Sequence, residues 1–212
     1  MEIRIGASVG SIRRQRHLVS SLERTAQQGH TGGIFWLTGL SGSGKSSIAM
    51  AVEQRLCAAG MFVYVLDGDN IRCGLNRDLR FSPADRTENI RRVAEVAALF
   101  ADAGAIALTA LISPNATDRA AARAVAAGDF HEIYIKADLQ TCEARDPKGL
   151  YARARRREIP QFTGVSAPYD VPVQPDLVLE TSIDSLDTCV ERFVAYVRSV
   201  TSIPIPHVAA FG

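Results

Sequence analysis

The stretch Gly39-Leu-Ser-Gly-Ser-Gly44-Lys45-Ser46 matches the pattern G-x-x-x-x-G-K-[ST]. Its glycines let the backbone curl so that successive N–H groups point at phosphate oxygens, and a following helix adds its positive N-terminal end. Lys45 supplies a charge for the β- and γ-phosphates, and the Ser46 hydroxyl can bind Mg²⁺. An apolar run before the motif and helical spacing after it favour phosphate binding over a chance turn. The residues expected to hold the nucleotide are Gly39, Leu40, Ser41, Gly42, Ser43, Gly44, Lys45, Ser46 and Ser47.

The rest of the chain alternates short apolar runs with amphipathic segments. The apolar runs predict strands at 34–38, 62–66, 106–112, 131–135 and 177–180. Helical spacing predicts helices from the motif to Gly60, from a Ser82 cap to about Gly104, from about 115 to 127, and over 185–199. The last helix is expected to turn Leu186, Val190, Phe193 and Val197 toward the core. This order predicts an α/β fold with three layers, as in P-loop NTPases: a mostly parallel central sheet with helices on both faces.

Length, charge and cysteine usage limit the class of protein. The 212 residues fit one domain, predicted at 33–200, after a lead-in segment at 1–32 and before an irregular tail at 201–212. The net charge of +1 and the short apolar runs argue against nucleic-acid and membrane partners. The four cysteines form no metal or disulfide pattern, which favours a soluble, cytoplasmic protein. The arginine-rich start weakly resembles a transit peptide, but a lead-in helix or flexible tail is favoured.

Two acids indicate the type of chemistry. ATPase motors and GTPases usually carry an acid at the end of an apolar strand, whereas the run 106–112 ends without one. Asp67 and Asp69 instead follow the second strand, and parallel strands end at one edge of a sheet, so both are expected beside the motif. Asp69 can help Ser46 to hold Mg²⁺ and can accept the proton of an attacking hydroxyl. This layout is typical of a small-molecule kinase; the alternative is ordinary turn chemistry.

Basic and aromatic residues near that edge suggest an anionic acceptor with a base. Arg72 and Arg86 could bind its charge, Asn89 lies one turn after Arg86, and Phe81 offers a face for stacking. Taken alone, each of the two arginines is typical of an exposed, solvated surface residue. The basic segment 148–157 is interpreted as part of a lid, at about 148–165, whose arginines, Arg155 among them, close over the phosphates. A nucleic-acid-binding stripe is disfavoured because aromatic residues are not interleaved.

Several blocks together resemble adenylylsulfate kinase, from about residue 33 to 198. They are Leu66-Asp-Gly-Asp-Asn-Ile-Arg72, Gly74-Leu-Asn76, Phe81-Ser82, Asp85-Arg-Thr-Glu-Asn-Ile-Arg-Arg92, Leu111-Ile-Ser-Pro114, Cys142-Glu-Ala-Arg-Asp-Pro-Lys-Gly-Leu-Tyr151, Phe162-Thr-Gly164 and Pro168-Tyr169. The resemblance implies transfer of the ATP γ-phosphate to the 3′-hydroxyl of adenylyl sulfate (APS), giving 3′-phosphoadenylyl sulfate. It also implies Mg²⁺, a homodimer and functional association with ATP sulfurylase.

The resemblance implies roles for single residues. Asp69 is the catalytic carboxylate, beside Lys45. Ser113 is implied as a transient phosphoserine, although no base adjoins it in sequence and direct in-line transfer needs no covalent step. The residues implied in APS binding are Asp69, Arg72, Phe81, Arg86, Asn89, Ile112, Ser113, Lys148 and Phe162, with Phe81 and Phe162 on either side of the adenine. Arg80 departs from the family pattern, in which glycine is usual at this position, and it would strain the turn if the position needs positive φ. Arg157 likewise replaces a small or glycine residue that is common near the lid.

Two other functions compete with this one. A kinase for gluconate, shikimate or a nucleoside would share the nucleotide motif but should lack Phe81 and the 148–151 block. A nucleotide-binding regulatory domain that has lost activity should lack some of Lys45, Ser46 and Asp69, all of which are present.

Overall fold

The computed structural model describes residues 15–126 and 128–202, and its centre is a parallel sheet. The sheet has five strands in the order β2-β3-β1-β4-β5, and every pairing is parallel. The strands are β1 (Gly33–Thr38), β2 (Val63–Asp67), β3 (Ile106–Ala110), β4 (Phe130–Lys136) and β5 (Leu177–Glu180). The five predicted strands are confirmed, and their carboxyl ends share one edge of the sheet.

Eight helices surround the sheet in the described residues. They are α1 (Ser21–Gln28), α2 (Lys45–Ala58), α3 (Gly68–Cys73), α4 (Pro83–Asp102), α5 (Ala116–Val125), α6 (Leu139–Arg145), α7 (Leu150–Arg155) and α8 (Leu186–Thr201). The predicted start of α4 is confirmed, because the Ser82 side chain accepts from the Asp85 N–H at 3.2 Å and proline occupies the first turn. The predicted helices correspond to α2, α4, α5 and α8.

The side chains of β1 show why this sheet is covered on both faces. All six residues of β1 are buried, and successive side chains point to opposite faces. Phe35 and Leu37 belong to a core cluster with residues of α2 and α8. Ile34 and Trp36 belong to a second cluster with residues of α4. The predicted three-layer α/β fold is confirmed.

Two details differ from the sequence-based expectation. Leu186 was expected in the core but is 50% exposed. The helical period of α8 continues into its first turn, yet the core cluster begins only at Cys189, which is fully buried. Strand β3 ends at Ala110 rather than at 112. Its backbone bonds to the chain of β1 lengthen there, to 3.4 Å from the Leu111 N–H to the Leu37 carbonyl and 3.5 Å from the Gly39 N–H to the Ile112 carbonyl. The Ile112 carbonyl also accepts from the Thr38 hydroxyl at 2.7 Å.

Four short helices were not predicted, and one of them lies in the lead-in segment. Helix α1 begins with a capping box in which Ser20 and Glu23 bond reciprocally. An antiparallel bridge between His30 and Ser202 joins the two ends of the described chain. The remainder of the predicted lead-in segment, 1–14, and of the predicted tail, 203–212, lies outside the described residues. Within the described ranges, no helix is long and apolar enough to cross a membrane.

Candidate active site

The loop between β1 and α2 requires glycine at two positions. A Cβ on Gly39 would lie 2.5 Å from the Ile135 carbonyl oxygen, and one on Gly42 would lie 2.8 Å from that of Cys142. Gly42 also has φ +75°, a conformation that side-chain-bearing residues rarely adopt. The loop is therefore packed closely against the end of β4 and against α6. We call residues 39–46 the cradle.

The carbonyl groups of the cradle are held by donors on side chains. Lys45 Nζ donates to the carbonyls of Gly39 at 2.9 Å and Leu40 at 2.6 Å. The Tyr151 hydroxyl donates to the Ser41 carbonyl at 2.9 Å, and the Thr181 hydroxyl to the Ser43 carbonyl at 2.8 Å. Arg145 makes a longer bond, 3.4 Å, to the Gly42 carbonyl. In a planar trans peptide the N–H points opposite to the C=O, so holding the Ser41 and Ser43 carbonyls turns the Gly42 and Gly44 N–H groups to the other side of the loop, where a phosphate can bind. The Ser43 N–H is itself bonded to the Leu40 carbonyl at 3.2 Å.

Lys45 is buried, and burial sets its acid–base behaviour. The residue as a whole is only 8% exposed to solvent. Desolvation lowers the pKa of Lys45 from 10.5 to about 8, opposed by the charges of Asp67 and Asp69, with Lys148 acting in the same direction as burial. The ammonium ion is thus the main form at neutral pH, and phosphate oxygens would favour it further.

The end of β2 meets the cradle through Asp67. The Ser46 hydroxyl donates to Asp67 Oδ2 at 2.6 Å, and Asp67 is 5% exposed. Asp67 also caps α3, because its Oδ1 accepts from the Asp69 N–H at 2.9 Å. The expected approach of the two acids to the nucleotide motif is therefore found, but it is Asp67, not Asp69, that contacts Ser46. A hydroxyl and a carboxylate are oxygen ligands of the kind Mg²⁺ takes in nucleotide sites, so these two residues fit that ion.

Asp69 faces a different partner. Its carboxylate pairs with Lys148, which follows α6, and both side chains are more than half exposed. Asp69 is thus the outer of the two acids, and Asp67 the inner one. The contact brings the start of the predicted lid to the end of β2. Mg²⁺ binding by Asp69 stays a prediction.

Arg72, Phe81 and Arg86 form one wall beside the end of β2. The Arg72 guanidinium lies 4.6 Å from the centroid of the Phe81 ring, and Phe81 is 64% exposed. Arg86 donates to the Phe81 carbonyl at 3.0 Å, to the Thr163 hydroxyl at 3.0 Å and to the Gln161 carbonyl at 2.8 Å. Partial burial lowers the pKa of both guanidinium groups, which remain charged. The predicted grouping of these residues is found, and Arg86 joins it to the lid.

Asn89 lies deeper than this wall. It is 4% exposed, and its Oδ1 accepts from Asn76 Nδ2 at 3.0 Å. Asn76 is fully buried. The pair links the helix of Arg86 to the loop after α3, which positions one side of the wall against the other.

Ile112 and Ser113 follow β3 in a strained turn. Ser113 has φ +39° and is 2% exposed, and its Oγ accepts from the Trp36 indole N–H at 3.1 Å. Arg119 donates to the carbonyls of Ser113 at 2.8 Å and Pro114 at 3.2 Å. Trp36 can only donate, so it cannot take a proton from the Ser113 hydroxyl. The contacts of Ser113 in this turn therefore do not include a base that would activate it as a nucleophile.

Arg119 was missed by the sequence analysis. It is 4% exposed and pairs with Glu132 on β4 at 2.6 Å, and it also donates to the Asp170 carbonyl at 2.7 Å. Its side chain ties the turn after β3 to β4 and to the segment that follows the lid. Its sequence gives no sign of this, because a single arginine in an alanine-rich helix is typical of an exposed face.

The lid, residues 148–165, has its own small core. Tyr151 is 1% exposed and Phe162 6% exposed, and their rings meet edge to face at 5.0 Å between centroids. Leu40 of the cradle packs against this cluster. Arg155 makes a bidentate pair with Glu143 at 2.8 and 2.9 Å. Phe162 is buried while Phe81 is exposed, so their placement on either side of an adenine, like nucleotide binding by Arg155, stays a prediction.

The two departures from the expected pattern have different backbones. Arg157 has φ +62°, the left-handed conformation that favours glycine. Arg80 is not among the residues with positive φ in the described part of the chain. Strain is therefore found at Arg157, at the C-terminal side of α7, and not at Arg80.

Comparisons with known proteins give one family from both sequence and structure. The sequence model of the family described as adenylylsulphate kinase matches residues 31–180. An adenylyl-sulfate kinase of Bacillus licheniformis is 55% identical over 173 residues, which cover 81% of this chain and 88% of that protein. One of Shewanella amazonensis is 50% identical over 190 residues, covering 89% and 96%. The structure of a Mycobacterium tuberculosis APS kinase in complex with AMPPNP and APS superposes with a TM-score of 0.77 at 51% identity, covering 79% of this chain and 98% of that one.

Proposed function

Because this chain belongs to the adenylylsulphate kinase family, we propose a role for each part of its site in that family's reaction. The reaction is ATP-dependent phosphorylation of the 3′-hydroxyl of adenylyl sulfate, which gives 3′-phosphoadenylyl sulfate. The related M. tuberculosis enzyme was crystallised with an ATP analogue and APS together. One site must therefore hold a donor and an acceptor side by side, and the cradle and the Arg72–Phe81–Arg86 wall supply the two halves.

The cradle holds the triphosphate of ATP. Its N–H groups and the start of α2 surround the β- and γ-phosphates, and Lys45 places a positive charge beside them. Lys45 already sits within reach of the Gly39 and Leu40 carbonyls, so it needs only a short rotation to bond phosphate oxygens. The charge that develops on the transferring group is stabilised by these fixed donors.

Ser46 and Asp67 hold Mg²⁺. The ion would supply positive charge that offsets the negative charge of the phosphates during transfer. The carboxylate of Asp67 is fixed by the Asp69 N–H and by the Ser46 hydroxyl, so its orientation is set before any ligand enters. Asp69 remains a candidate for a further oxygen ligand.

Asp69 accepts the proton of the 3′-hydroxyl. As that oxygen attacks the γ-phosphorus, the bond from phosphorus to the β–γ bridging oxygen breaks and ADP leaves, while the proton passes to the Asp69 carboxylate. Lys148, which pairs with Asp69, holds the carboxylate in place and brings a positive charge to the transferring group. Catalysis by Asp69 is favoured over Asp67 because Asp67 is buried and already bonded to Ser46 and α3.

The wall binds the rest of the acceptor. Arg72 and Arg86 carry the charge that a phosphosulfate group requires, and exposed Phe81 offers a face to the adenine. Asn89, Ile112 and Ser113 line the deeper side, and Phe162 reaches the base when the lid shifts. Ser113 lines the acceptor site and is not phosphorylated, because direct transfer has no covalent step. Its hydroxyl accepts a hydrogen bond from the Trp36 N–H.

The lid excludes water from the phosphates. Its arginines, including Arg155, are paired with acids such as Glu143 and are released to bind the nucleotide as the lid closes. We also propose that the chain works in the cytoplasm as a homodimer, in functional association with ATP sulfurylase. Sedimentation of the purified chain at several concentrations tests the dimer, which requires a mass of twice the 22.9 kDa of one chain.

One observation carries this proposal: the Ser46–Asp67 contact brings the end of β2, with Asp69, to the cradle. The test is to incubate the purified chain with MgATP and, separately, adenylyl sulfate, gluconate, shikimate and a nucleoside, and to identify products by mass. We expect a 3′-phosphorylated product from adenylyl sulfate alone. Phosphorylation of one of the other acceptors in its place would assign the chain a different substrate.

A further inference from the structure

The cradle is held by a residue of the lid that lies far away in sequence. Tyr151, on α7, donates its hydroxyl to the Ser41 carbonyl at 2.9 Å across a separation of 110 residues. Tyr151 is 1% exposed, and its ring is fixed by the edge-to-face contact with Phe162. The bond therefore joins two firmly packed parts and is not a chance contact between surface side chains.

The position of this bond matters for phosphate binding. The Ser41 carbonyl shares a planar peptide with the Gly42 N–H, and no peptide in the described residues is cis. A donor that holds the carbonyl on the outside of the loop therefore aims the Gly42 N–H at the inside. Gly42 has no side chain, and a Cβ at this position would clash with the Cys142 carbonyl. The peptide is the central one of a turn closed by the Ser43 N–H, which donates to the Leu40 carbonyl at 3.2 Å, and the Tyr151 hydroxyl adds a second hold from outside the turn.

The hydroxyl is suited to act as a permanent donor. Burial, and then the neighbouring Cys142, raise the pKa of Tyr151 well above its ordinary value of 10.0. The hydroxyl therefore keeps its proton at neutral pH. A phenylalanine at this position would keep the ring contact with Phe162 and lose the bond to Ser41, together with the contact of the hydroxyl with the Cys142 thiol.

We propose that Tyr151 is a positioning residue for the ATP cradle: its hydroxyl fixes the Ser41–Gly42 peptide so that the Gly42 N–H faces the phosphates. The conformation of the cradle then depends on how α7 packs against it. The lid therefore affects nucleotide binding in two ways: it supports the cradle through Tyr151, and it closes over the bound phosphates. Thr181 does the same from the end of β5, since its hydroxyl holds the Ser43 carbonyl at 2.8 Å.

This inference rests on the proposed function only in that ATP is the ligand of the cradle. The test compares Tyr151→Phe with a matched control, Tyr196→Phe. Tyr196 on α8 also makes one hydroxyl bond, 2.8 Å to His131 Nδ1, near the amino end of β4 and away from the cradle. Each variant is titrated by calorimetry with Mg²⁺ and a non-hydrolysable ATP analogue, its melting temperature is recorded, and KM for both substrates is measured.

For Tyr151→Phe we expect the Kd of the analogue and the KM of ATP to rise about three- to tenfold, the range for loss of one hydrogen bond. The KM of adenylyl sulfate should stay within about twofold of wild type, because the wall is untouched. Tyr196→Phe should change neither constant, although its melting temperature falls by a similar amount. That combination separates a positioning role from a merely structural one.

Nucleotide affinity of Tyr151→Phe within about twofold of wild type would overturn the inference. So would an equal rise of KM for both substrates, or the same loss of nucleotide affinity in Tyr196→Phe. If Tyr151→Phe does not fold, Thr181→Val replaces it, with the same expected rise and the same contrary outcome. Failure of the wild-type chain to bind the analogue at all would instead refute the proposed function, so the two failures are distinguishable.

Discussion

The donor half and the acceptor half of this site are built in different ways. The cradle is one contiguous loop whose carbonyls are bonded and whose lysine is buried. The wall consists of Arg72, Phe81 and Arg86, which are partly or largely exposed and are held by contacts to loops, including residues 161–163 of the lid. A triphosphate is met by a fixed set of donors, whereas the acceptor meets residues that a lid movement can rearrange. Donor binding should therefore be insensitive to changes in the wall, and acceptor binding to many changes in the cradle.

The largest effect is expected where the two halves meet, at Asp69. Asp69→Asn keeps the size of the side chain and removes the group that accepts the 3′-proton, so kcat should fall about 10²- to 10⁴-fold. Nucleotide affinity should change far less than kcat, because Asp67 and not Asp69 contacts Ser46. Asp187→Asn, at an exposed pair with Arg55, serves as the control. Turnover retained by Asp69→Asn would refute its catalytic role.

A change in the wall should affect only the acceptor. Arg86→Ala removes three hydrogen bonds to the Phe81 and lid segments and one charge for the acceptor. We expect the KM of adenylyl sulfate to rise about 10- to 100-fold, with the Kd of an ATP analogue unchanged. The matched control is Arg192→Ala, whose partner Asp184 lies outside the wall. An equal loss of nucleotide affinity in Arg86→Ala would show that the halves are not independent.

Above pH 8 the affinity for nucleotide should depend on the protonation of Lys45. Its pKa in the free protein is lowered to about 8 by burial, and bound phosphates would raise it. Well below pH 8 the ammonium is present before and after binding, so Lys45 contributes no pH dependence there. Above pH 8 binding must take up a proton. The Kd of an ATP analogue should therefore rise by up to about tenfold per pH unit above 8. Calorimetry of wild type and Lys45→Met measures this. The same slope in Lys45→Met would assign the titration to another group.

The smallest effect concerns the strained end of α7. Arg157→Gly should stabilise the fold by about 1 kcal/mol, because glycine removes the left-handed penalty at φ +62°. Arg80→Gly, at a residue without positive φ, should instead destabilise it by about 0.5–1 kcal/mol through chain entropy. Denaturant unfolding of both variants gives the two values. Stabilisation by Arg80→Gly, or none by Arg157→Gly, would contradict the assignment of strain.

Features formed by residues adjacent in sequence could be predicted, whereas features assembled from several segments could not. The strands are visible because parallel strands covered on both faces are continuous apolar runs, and the cradle is visible because its glycines and Lys45 are adjacent in the chain. Helices α3 and α7, of six residues each, are too short for a helical period to show. Asp67 was placed near the cradle by the rule that parallel strands end at one edge, but which acid touches Ser46 depends on the turn into α3.

Residues that act across long separations could not be predicted from pattern alone. Trp36 bonds Ser113 over 77 residues, and Thr181 bonds Ser43 over 138. Neither tryptophan in an apolar strand nor threonine after another strand differs in sequence from an ordinary core or loop residue. The buried pair of Arg119 with Glu132 could not be predicted either, because the burial of a cation depends on the residues around it in the fold and not on its neighbours in the sequence.

The central claim is a single direct transfer between a fixed donor half and an acceptor half assembled from several segments. The most direct measurement uses ATP with a γ-thiophosphate made chiral by oxygen isotopes, together with adenylyl sulfate, and determines the configuration at phosphorus in the product. One in-line transfer inverts that configuration, and we expect inversion. Retention would require two transfers through a covalent intermediate, would place a phosphoryl group on a residue such as Ser113, and would contradict the account.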